Sequence, residues 1–247
     1  MNTEIINQNF SSKKVVFFDL GGTLVKYYNR KEFPEILEKS IGNVLEFLED
    51  KYEYKSEITD IWKKVEKENY ENENHQVRPL EVRLKKIFGL DEFEEGSSLN
   101  NLYQISCRLF LIPIFDIGRL FDDTIPCLSK IKDRGYKIGL ISNTPWGSPS
   151  VLWRDELKRH DLDKFFDKTV FCRDVGWRKP AKQIFYYASE IMRVNPEECL
   201  FIGDDPRWDL IGPNNVGMDA LIIDRTEEKR VYDKGNIISL YQLFELL

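Results

Sequence analysis

The chain has 247 residues, of which 42% are hydrophobic and 32% charged, so it is long enough to bury a core and to carry an insert. A net charge of -6 and a pI near 5.2 exclude a basic face for nucleic-acid binding, and no apolar run reaches the roughly 20 residues that span a bilayer. Four widely spaced cysteines and only two histidines argue against a zinc site, a disulfide framework or a His-based triad.

A polar start precedes the first predicted strand. Residues 1–12 lack the basic start and apolar run of a secretory signal, so we expect a cytoplasmic protein. β-branched and aromatic residues at 14–19 then break at Gly21 and Gly22, which predicts a buried strand that ends in a turn. Similar runs follow at 137–142, 169–172, 199–203 and 220–224. Because helical periodicity separates them, the pattern predicts a Rossmann-like, three-layer α/β core with a parallel sheet.

The long stretch between the first and second strands has a different pattern. Its apolar residues repeat at helical spacing, for example at Leu37, Ile41, Val44 and Leu48, and it contains no convincing strand. A polar run at 66–76 predicts a solvated helix end or a loop. We therefore predict a Rossmann-like core of residues 1–28 and 113–247, with an all-helical cap inserted at 29–112.

Polar residues stand directly after the first two main strands. Asp19 follows the first, at the sheet edge where ligands of open α/β sheets bind, so its carboxylate is a candidate nucleophile or metal ligand. Gly22 lets the backbone approach an anion, and Thr23 adds a hydroxyl. Ser142 and Asn143 follow the second strand and could hold phosphate oxygens. Either group taken alone is equally consistent with an ordinary strand-ending turn.

A lysine and an acidic cluster occupy two further turns. Lys179 precedes a predicted helix and could offset the charge of an incoming phosphate. Asp204, Asp205 and Asp209 follow the third strand, and clustered carboxylates suit Mg²⁺, which prefers oxygen ligands. Helix capping would account for one of these acids. Capping does not explain why acids follow two different strands. Nor does it explain why a lysine and a Ser-Asn pair stand at two other turns.

Taken in chain order, the D-L-G-G-T-L, S-N, K-P and G-D-D motifs resemble those of the haloacid dehalogenase superfamily, over residues 14–25 and about 120–225. The helical insert looks like the cap domain of that family. The resemblance implies that Asp19 forms an aspartyl-phosphate. It also implies that Mg²⁺ is held by Asp19, by the Gly21 carbonyl, by Asp204 and by Asp209, and that the phosphoryl group is bound by Gly22, Thr23, Ser142, Asn143 and Lys179. Asp205 would assist.

One position departs from the family pattern. Most phosphatases of the superfamily carry a second aspartate two residues after the nucleophile, as general acid and base, and this chain has Gly21 there. Losing such catalysis costs a factor of about 10² to 10⁴ in rate, and the loss is heaviest for alkyl phosphates. Acyl phosphates and other activated substrates are affected less.

The sequence therefore predicts a Mg²⁺-dependent phosphatase of a small phosphorylated molecule, with impaired acid–base catalysis. The main alternative is a catalytically silent binding or regulatory protein with the same fold. A dehalogenase would not need the acidic cluster, and a phosphonate hydrolase would need a cap lysine such as Lys51 or Lys55, neither of which any feature selects. We expect no nucleic-acid or membrane partner. Neither the substrate nor the oligomeric state can be read from the sequence.

Overall fold

A computed structural model of the protein describes residues 9–93, 95–225 and 236–247. The parts of the predicted core at 1–8 and 226–235 lie outside this description, as does most of the polar start on which the expected location depends. No helix of the described residues is long and apolar enough to cross a membrane.

One six-stranded sheet forms the centre of the described structure, in the order β5-β4-β1-β6-β7-β8, and each neighbouring pair is parallel. A second, antiparallel pair is formed by β2 and β3. In chain order the strands are β1 (Val15–Phe18), β2 (Val25–Lys26), β3 (Arg119–Leu120), β4 (Lys137–Ser142), β5 (Lys168–Phe171), β6 (Cys199–Gly203), β7 (Asp219–Ile223) and β8 (Asn236–Ile237).

Helices alternate with these strands. In chain order they are α1 (Phe33–Tyr52), α2 (Ile58–Glu68), α3 (Leu80–Phe88), α4 (Gly96–Ile117), α5 (Thr124–Asp133), α6 (Ser150–Arg159), α7 (Cys172–Val175), α8 (Lys182–Met192), α9 (Pro206–Asp209), α10 (Ile211–Asn214) and α11 (Leu243–Leu246). The predicted parallel α/β fold is confirmed.

Both faces of the sheet are covered, which explains the uninterrupted apolar run of β1. Its side chains alternate between two apolar clusters: Val16 and Phe18 belong to one, and Val15 and Phe17 to the other. All four residues are fully buried. The strand is therefore fixed in register, and Asp19 emerges at its carboxyl end.

The main strands lie close to their predicted positions, and the three shortest were missed. The runs at 137–142 and 199–203 coincide with β4 and β6, whereas β5 and β7 each begin and end one residue earlier than predicted. Two-residue strands such as β2, β3 and β8 are too short to produce a periodic signal. Their pairing depends on residues far away in the chain.

Helices α1 to α4 fill the segment between β2 and β3, and this segment contains no strand among its described residues. α4 continues through Pro113 to Ile117, so the expected joint at residue 113 lies within a helix. The division into core and cap remains a prediction.

Residues 66–76 form the end of α2 and a largely exposed loop, as predicted, and this loop is also attached to the core. Val77 N donates to Gly176 O and Arg178 N donates to His75 O, each at 2.9 Å. Backbone pairing of this kind leaves no trace in side-chain hydropathy. The loop therefore lies beside the turn that carries Lys179.

A buried carboxylate attaches the C-terminal segment to the start of α5. Asp123 accepts hydrogen bonds from Arg225 Nη2 at 2.9 Å, Ser239 Oγ at 2.9 Å and Leu240 N at 2.8 Å. Burial alone would raise the pKa of Asp123, but these hydrogen bonds outweigh it and hold the pKa below its ordinary value. Asp123 is therefore more stable as a carboxylate in the folded protein than in the unfolded chain.

Candidate active site

A cleft of about 710 Å³ opens at the carboxyl ends of β1, β4 and β6. Its lining includes the turns that follow these strands, the Lys179 turn, and parts of the segment between β2 and β3. Five separate pieces of sequence thus meet at one edge of the sheet, where open α/β folds bind ligands.

Asp19 lies at the bottom of the cleft and is held from one side. Its Oδ1 accepts hydrogen bonds from Ser142 Oγ at 2.9 Å and from Lys179 Nζ at 2.6 Å. Lys179 Nζ also lies 2.7 Å from Asp209 Oδ1, so the lysine is an ion partner of two acids. Burial alone would lower the pKa of Lys179, but the two carboxylates raise it above its usual value. The lysine is therefore a permanent cation.

Three carboxylates crowd around this one lysine. Oxygens of Asp19, Asp204 and Asp209 all lie within 4.8 Å of one another. Asp204 borders the cleft, and its pKa is raised well above normal by enclosure and then by the charges of Asp19 and Asp209. Burial raises the pKa of Asp209 to about 6, although Lys179 opposes the shift. Three carboxyl groups thus share one ammonium, and their hard oxygen donors fit Mg²⁺.

Two glycines allow these carboxylates to lie against the backbone. Gly22 has a φ of +80°, and a Cβ there would stand 2.2 Å from Asp204 Oδ2. At Gly203 a Cβ would stand 2.3 Å from Asp209 Oδ2. The sequence suggested Gly22 as a place where the backbone can approach an anion. Glycine is also required there because any side chain would collide with the carboxylate of Asp204.

Asn143 holds the Lys179 turn. Its Oδ1 accepts from Lys179 N at 2.8 Å, and its Nδ2 donates to Lys179 O at 3.2 Å. The expected role of this amide was phosphate binding. In this geometry both of its polar atoms contact the backbone of Lys179, so Asn143 positions the lysine. The second Nδ2 hydrogen is not used in these bonds, and phosphate binding by Asn143 stays a prediction.

Two further candidates have other surroundings. Thr23 is fully buried, its hydroxyl has no hydrogen-bond partner among the described residues, and it is not part of the cleft lining. Asp205 Oδ1 accepts from Arg207 N at 3.0 Å and so caps α9, while its carboxylate also pairs with the Arg207 guanidinium. Capping, one of the interpretations open from the sequence, therefore applies to Asp205.

A tyrosine borders Gly21, and the sequence analysis did not single it out. A Cβ at Gly21 would lie 3.5 Å from Tyr27 Cδ2 and 4.0 Å from Cε2. The Tyr27 hydroxyl donates to Glu156 Oε1 at 3.3 Å, and Glu156 is itself bound by Arg159 and His160. Burial and then Glu156 raise the pKa of Tyr27 well above normal. In the sequence, only the position of Tyr27 shortly after the D-L-G-G-T-L motif could have drawn attention to it. Its partner Glu156 is distant in sequence, so the contact between them could not be predicted.

Glu71 brings the segment between β2 and β3 into the cleft. Its Oε1 accepts from Arg83 Nη2 at 2.7 Å, and its Oε2 lies 3.3 Å from Arg178 Nη1. Arg83 is almost fully buried. Nothing in a polar, amide-rich run of sequence distinguishes Glu71 from its neighbours, so this contact could not be predicted.

Comparisons with known proteins agree with this arrangement. The chain is 29% identical, over 95% of its length and 99% of the relative, to the glyceraldehyde 3-phosphate phosphatase of Methanothermobacter thermautotrophicus. Among solved structures, a HAD phosphatase from Thermococcus onnurineus has a TM-score of 0.57 at 23% identity, covering 94% of this chain and 96% of that one. A 2-haloacid dehalogenase from Pseudomonas syringae pv. Tomato has a TM-score of 0.68 at 18% identity, with 95% and 97% covered.

Structural likeness at these identities establishes the fold alone. The two solved structures are named as a phosphatase and a dehalogenase, so they do not distinguish between these two reactions. The family model for haloacid dehalogenase-like hydrolases matches residues 13–217, which is most of the chain. The match includes the turns that carry Asp19, Ser142, Lys179 and Asp204. The chain therefore belongs to the haloacid dehalogenase-like hydrolase family.

Proposed function

We propose that the protein is a Mg²⁺-dependent phosphohydrolase that acts on a small phosphorylated molecule through an aspartyl-phosphate on Asp19. The observation that carries the proposal is the one-sided hold on this carboxylate. Ser142 and Lys179 both contact Oδ1, and no donor of the described residues contacts Oδ2. The second oxygen is thus free to attack phosphorus from a fixed direction.

Asp19, Asp204, Asp209 and the Gly21 carbonyl are the groups that we propose as holders of Mg²⁺. The closeness of three carboxyl groups that share a single lysine ammonium supports this assignment. When bound, Mg²⁺ would neutralise charge on the phosphoryl oxygens and on the acids around them. Lys179 contributes a fixed cation, Ser142 a hydroxyl, and Gly22 a backbone that can approach the phosphoryl group.

The reaction has two steps. In the first, Asp19 Oδ2 forms a bond to phosphorus while the bond from phosphorus to the leaving oxygen breaks. In the second, water attacks phosphorus, the bond to Asp19 breaks, and inorganic phosphate leaves. Gly21 offers no proton in either step, so we propose that turnover of alkyl phosphates is impaired by a factor of about 10² to 10⁴.

The acidic cluster favours phosphorus chemistry over dehalogenation, because attack on carbon needs no metal. Relatives named as phosphatases add support. A phosphonate hydrolase is disfavoured, since Lys51 and Lys55 are exposed and neither belongs to the described lining of the cleft. A silent binding protein remains the second candidate, and Gly21 is the observation in its favour.

The helical segment at 29–112 is the proposed cap. Arg30 at its start and Tyr70 within it line the cleft, which supports a role in enclosing substrate. Cytoplasmic action on a small molecule is part of the same proposal.

Hydrolysis of an acyl phosphate, measured with and without Mg²⁺, tests the proposal. We expect wild type to be active only with Mg²⁺ and Asp19→Asn to be inactive. Equal rates in the two proteins would remove Asp19 from the mechanism.

Thermal unfolding gives a test of the metal site that does not depend on activity. Mg²⁺ should raise the Tm of wild type by mass action and should lose this effect in Asp204→Asn. Asp205→Asn is the matched control, because Asp205 is occupied by Arg207 and should leave the Mg²⁺ effect in place. Equal Mg²⁺ effects in all three proteins would contradict the proposed ligands.

A further inference from the structure

The side of the cleft next to Gly21 presents hydrocarbon where a proton donor would be needed. The nearest side chain to this position is the ring of Tyr27, at 3.5 Å from an ideal Cβ. The Tyr27 hydroxyl lies more than 4 Å from that Cβ, and it donates a hydrogen bond to Glu156. A phenol turned away in this manner does not replace the missing aspartate.

The lining carboxylates outside the proposed metal cluster are engaged by arginines. Glu71 is paired with Arg83 and Arg178, and Asp205 is paired with Arg207. Neither histidine belongs to the lining in the described residues. With no acid at the Gly21 position, the cleft favours a leaving group that is stable as an anion and takes its proton later, from water.

Aromatic rings line the same cleft from two sides. Phe33 and Tyr70 belong to the proposed cap, Tyr28 directly precedes it, and Trp146 and Trp208 belong to the core side. Tyr28 and Phe33 pack with ring centroids 5.4 Å apart, and Trp146 stacks on Phe110 at 5.3 Å. These contacts restrain the rings before any ligand arrives, which lowers the entropic cost of binding a flat group.

We propose that the preferred substrate is a phosphate whose leaving group bears an aromatic ring and departs as a stable oxyanion, either a phenolate or an aromatic carboxylate. This inference rests on the proposed function. Asp19 forms the bond to phosphorus, the bond from phosphorus to the leaving oxygen breaks, and its electron pair stays on that oxygen. The ring packs among the aromatic side chains, and the delocalised oxyanion needs no protonation to leave.

Four substrates separate the ring from the quality of the leaving group. Benzoyl phosphate has both a ring and a good leaving group, and acetyl phosphate has only the good leaving group. 2-Phenylethyl phosphate has only the ring, and ethyl phosphate has neither. Phenyl phosphate is the fifth substrate, and it distinguishes phenolates from aromatic carboxylates as the source of the oxyanion. The measurement is kcat/KM by phosphate release, corrected for spontaneous hydrolysis.

We expect benzoyl phosphate to exceed acetyl phosphate by about tenfold, the value of one well-packed aromatic contact. Phenyl phosphate should exceed 2-phenylethyl phosphate by at least about 10²-fold, because only the alkoxide needs a general acid. Equal rates for benzoyl and acetyl phosphate, or for phenyl and 2-phenylethyl phosphate, would overturn the inference.

Three variants complete the experiment. Trp208→Leu should reduce the ratio of benzoyl to acetyl phosphate turnover, whereas Tyr241→Leu, which removes an exposed ring outside the cleft, should not change it. Asp19→Asn separates the two levels of failure. Activity that depends on Asp19 but ignores the ring refutes only the substrate class, and activity that is equal in Asp19→Asn and wild type refutes the proposed function itself.

Discussion

Replacing Gly21 by aspartate should restore an acid at the position where this chain lacks one. The backbone permits it, because Gly21, unlike Gly22, does not have a positive φ. The new Cβ would stand 3.5 Å from Tyr27 Cδ2, which is an ordinary van der Waals contact. We therefore expect Gly21→Asp to fold with stability close to that of wild type.

The expected gain depends on the leaving group. General acid catalysis contributes a factor of about 10² to 10⁴, or roughly 3 to 5 kcal/mol of barrier. For ethyl and 2-phenylethyl phosphate we expect kcat/KM to rise by about 10² or more. For benzoyl phosphate the change should be within a few-fold, because its leaving group already departs without a proton.

Gly21→Asn is the matched control, since it has the same size but cannot protonate a leaving group at neutral pH. The rise on alkyl phosphates should occur in Gly21→Asp alone and should diminish as rising pH deprotonates the added acid. An equal rise in Gly21→Asn would attribute the effect to shape. No rise in a folded Gly21→Asp protein that keeps its Mg²⁺-dependent Tm would refute the reasoning about the missing acid.

Three other substitutions test separate parts of the structure. Gly22→Ala forces a side chain into a positive φ and against the carboxylate of Asp204, so we expect a loss of about 2 kcal/mol, a Tm lower by about 4 to 8 °C, and a smaller Mg²⁺ effect in the same unfolding scan. Asn143→Ala frees the backbone of Lys179 and should lower kcat by at least about tenfold while the Mg²⁺ effect on Tm persists; an unchanged kcat would rule out positioning. Asp123→Asn should cost about 1 to 3 kcal/mol at neutral pH, measured by urea unfolding. Because the folded pKa of Asp123 lies below the unfolded value, this difference should shrink as pH falls below about 4, and a difference independent of pH would contradict the assignment.

The sequence predicted the parts of the fold that are encoded locally. β1 and β4 could be recognised because an apolar run ends in a polar turn, and the parallel order followed from alternation with helices. The sequence also predicted that four polar side chains lie close together, because the carboxyl ends of parallel strands share one edge of a sheet. These are Asp19, Ser142, Lys179 and Asp204.

What the sequence could not predict depends on how distant segments face one another. Asn143 was chosen for its chemistry, and its actual partner, the backbone of Lys179, follows from the relative placement of two turns. The pairing of the Tyr27 hydroxyl with Glu156 joins residues 129 positions apart. Such contacts decide whether a polar group is available to a substrate, and hydropathy contains no information about them.

The ion pairs of Lys179 with Asp19 and Asp209 have a consequence for the protein before metal is loaded. Buried like charges would otherwise drive the end of β1 and the end of α9 apart, and the lysine ammonium supplies the counterion that keeps them together. Many small metal sites form only when the metal folds the chain around itself. In this protein, removing the proposed Mg²⁺ with a chelator should leave the chain folded but with a lower Tm. The folded protein should then bind Mg²⁺ again without having to refold.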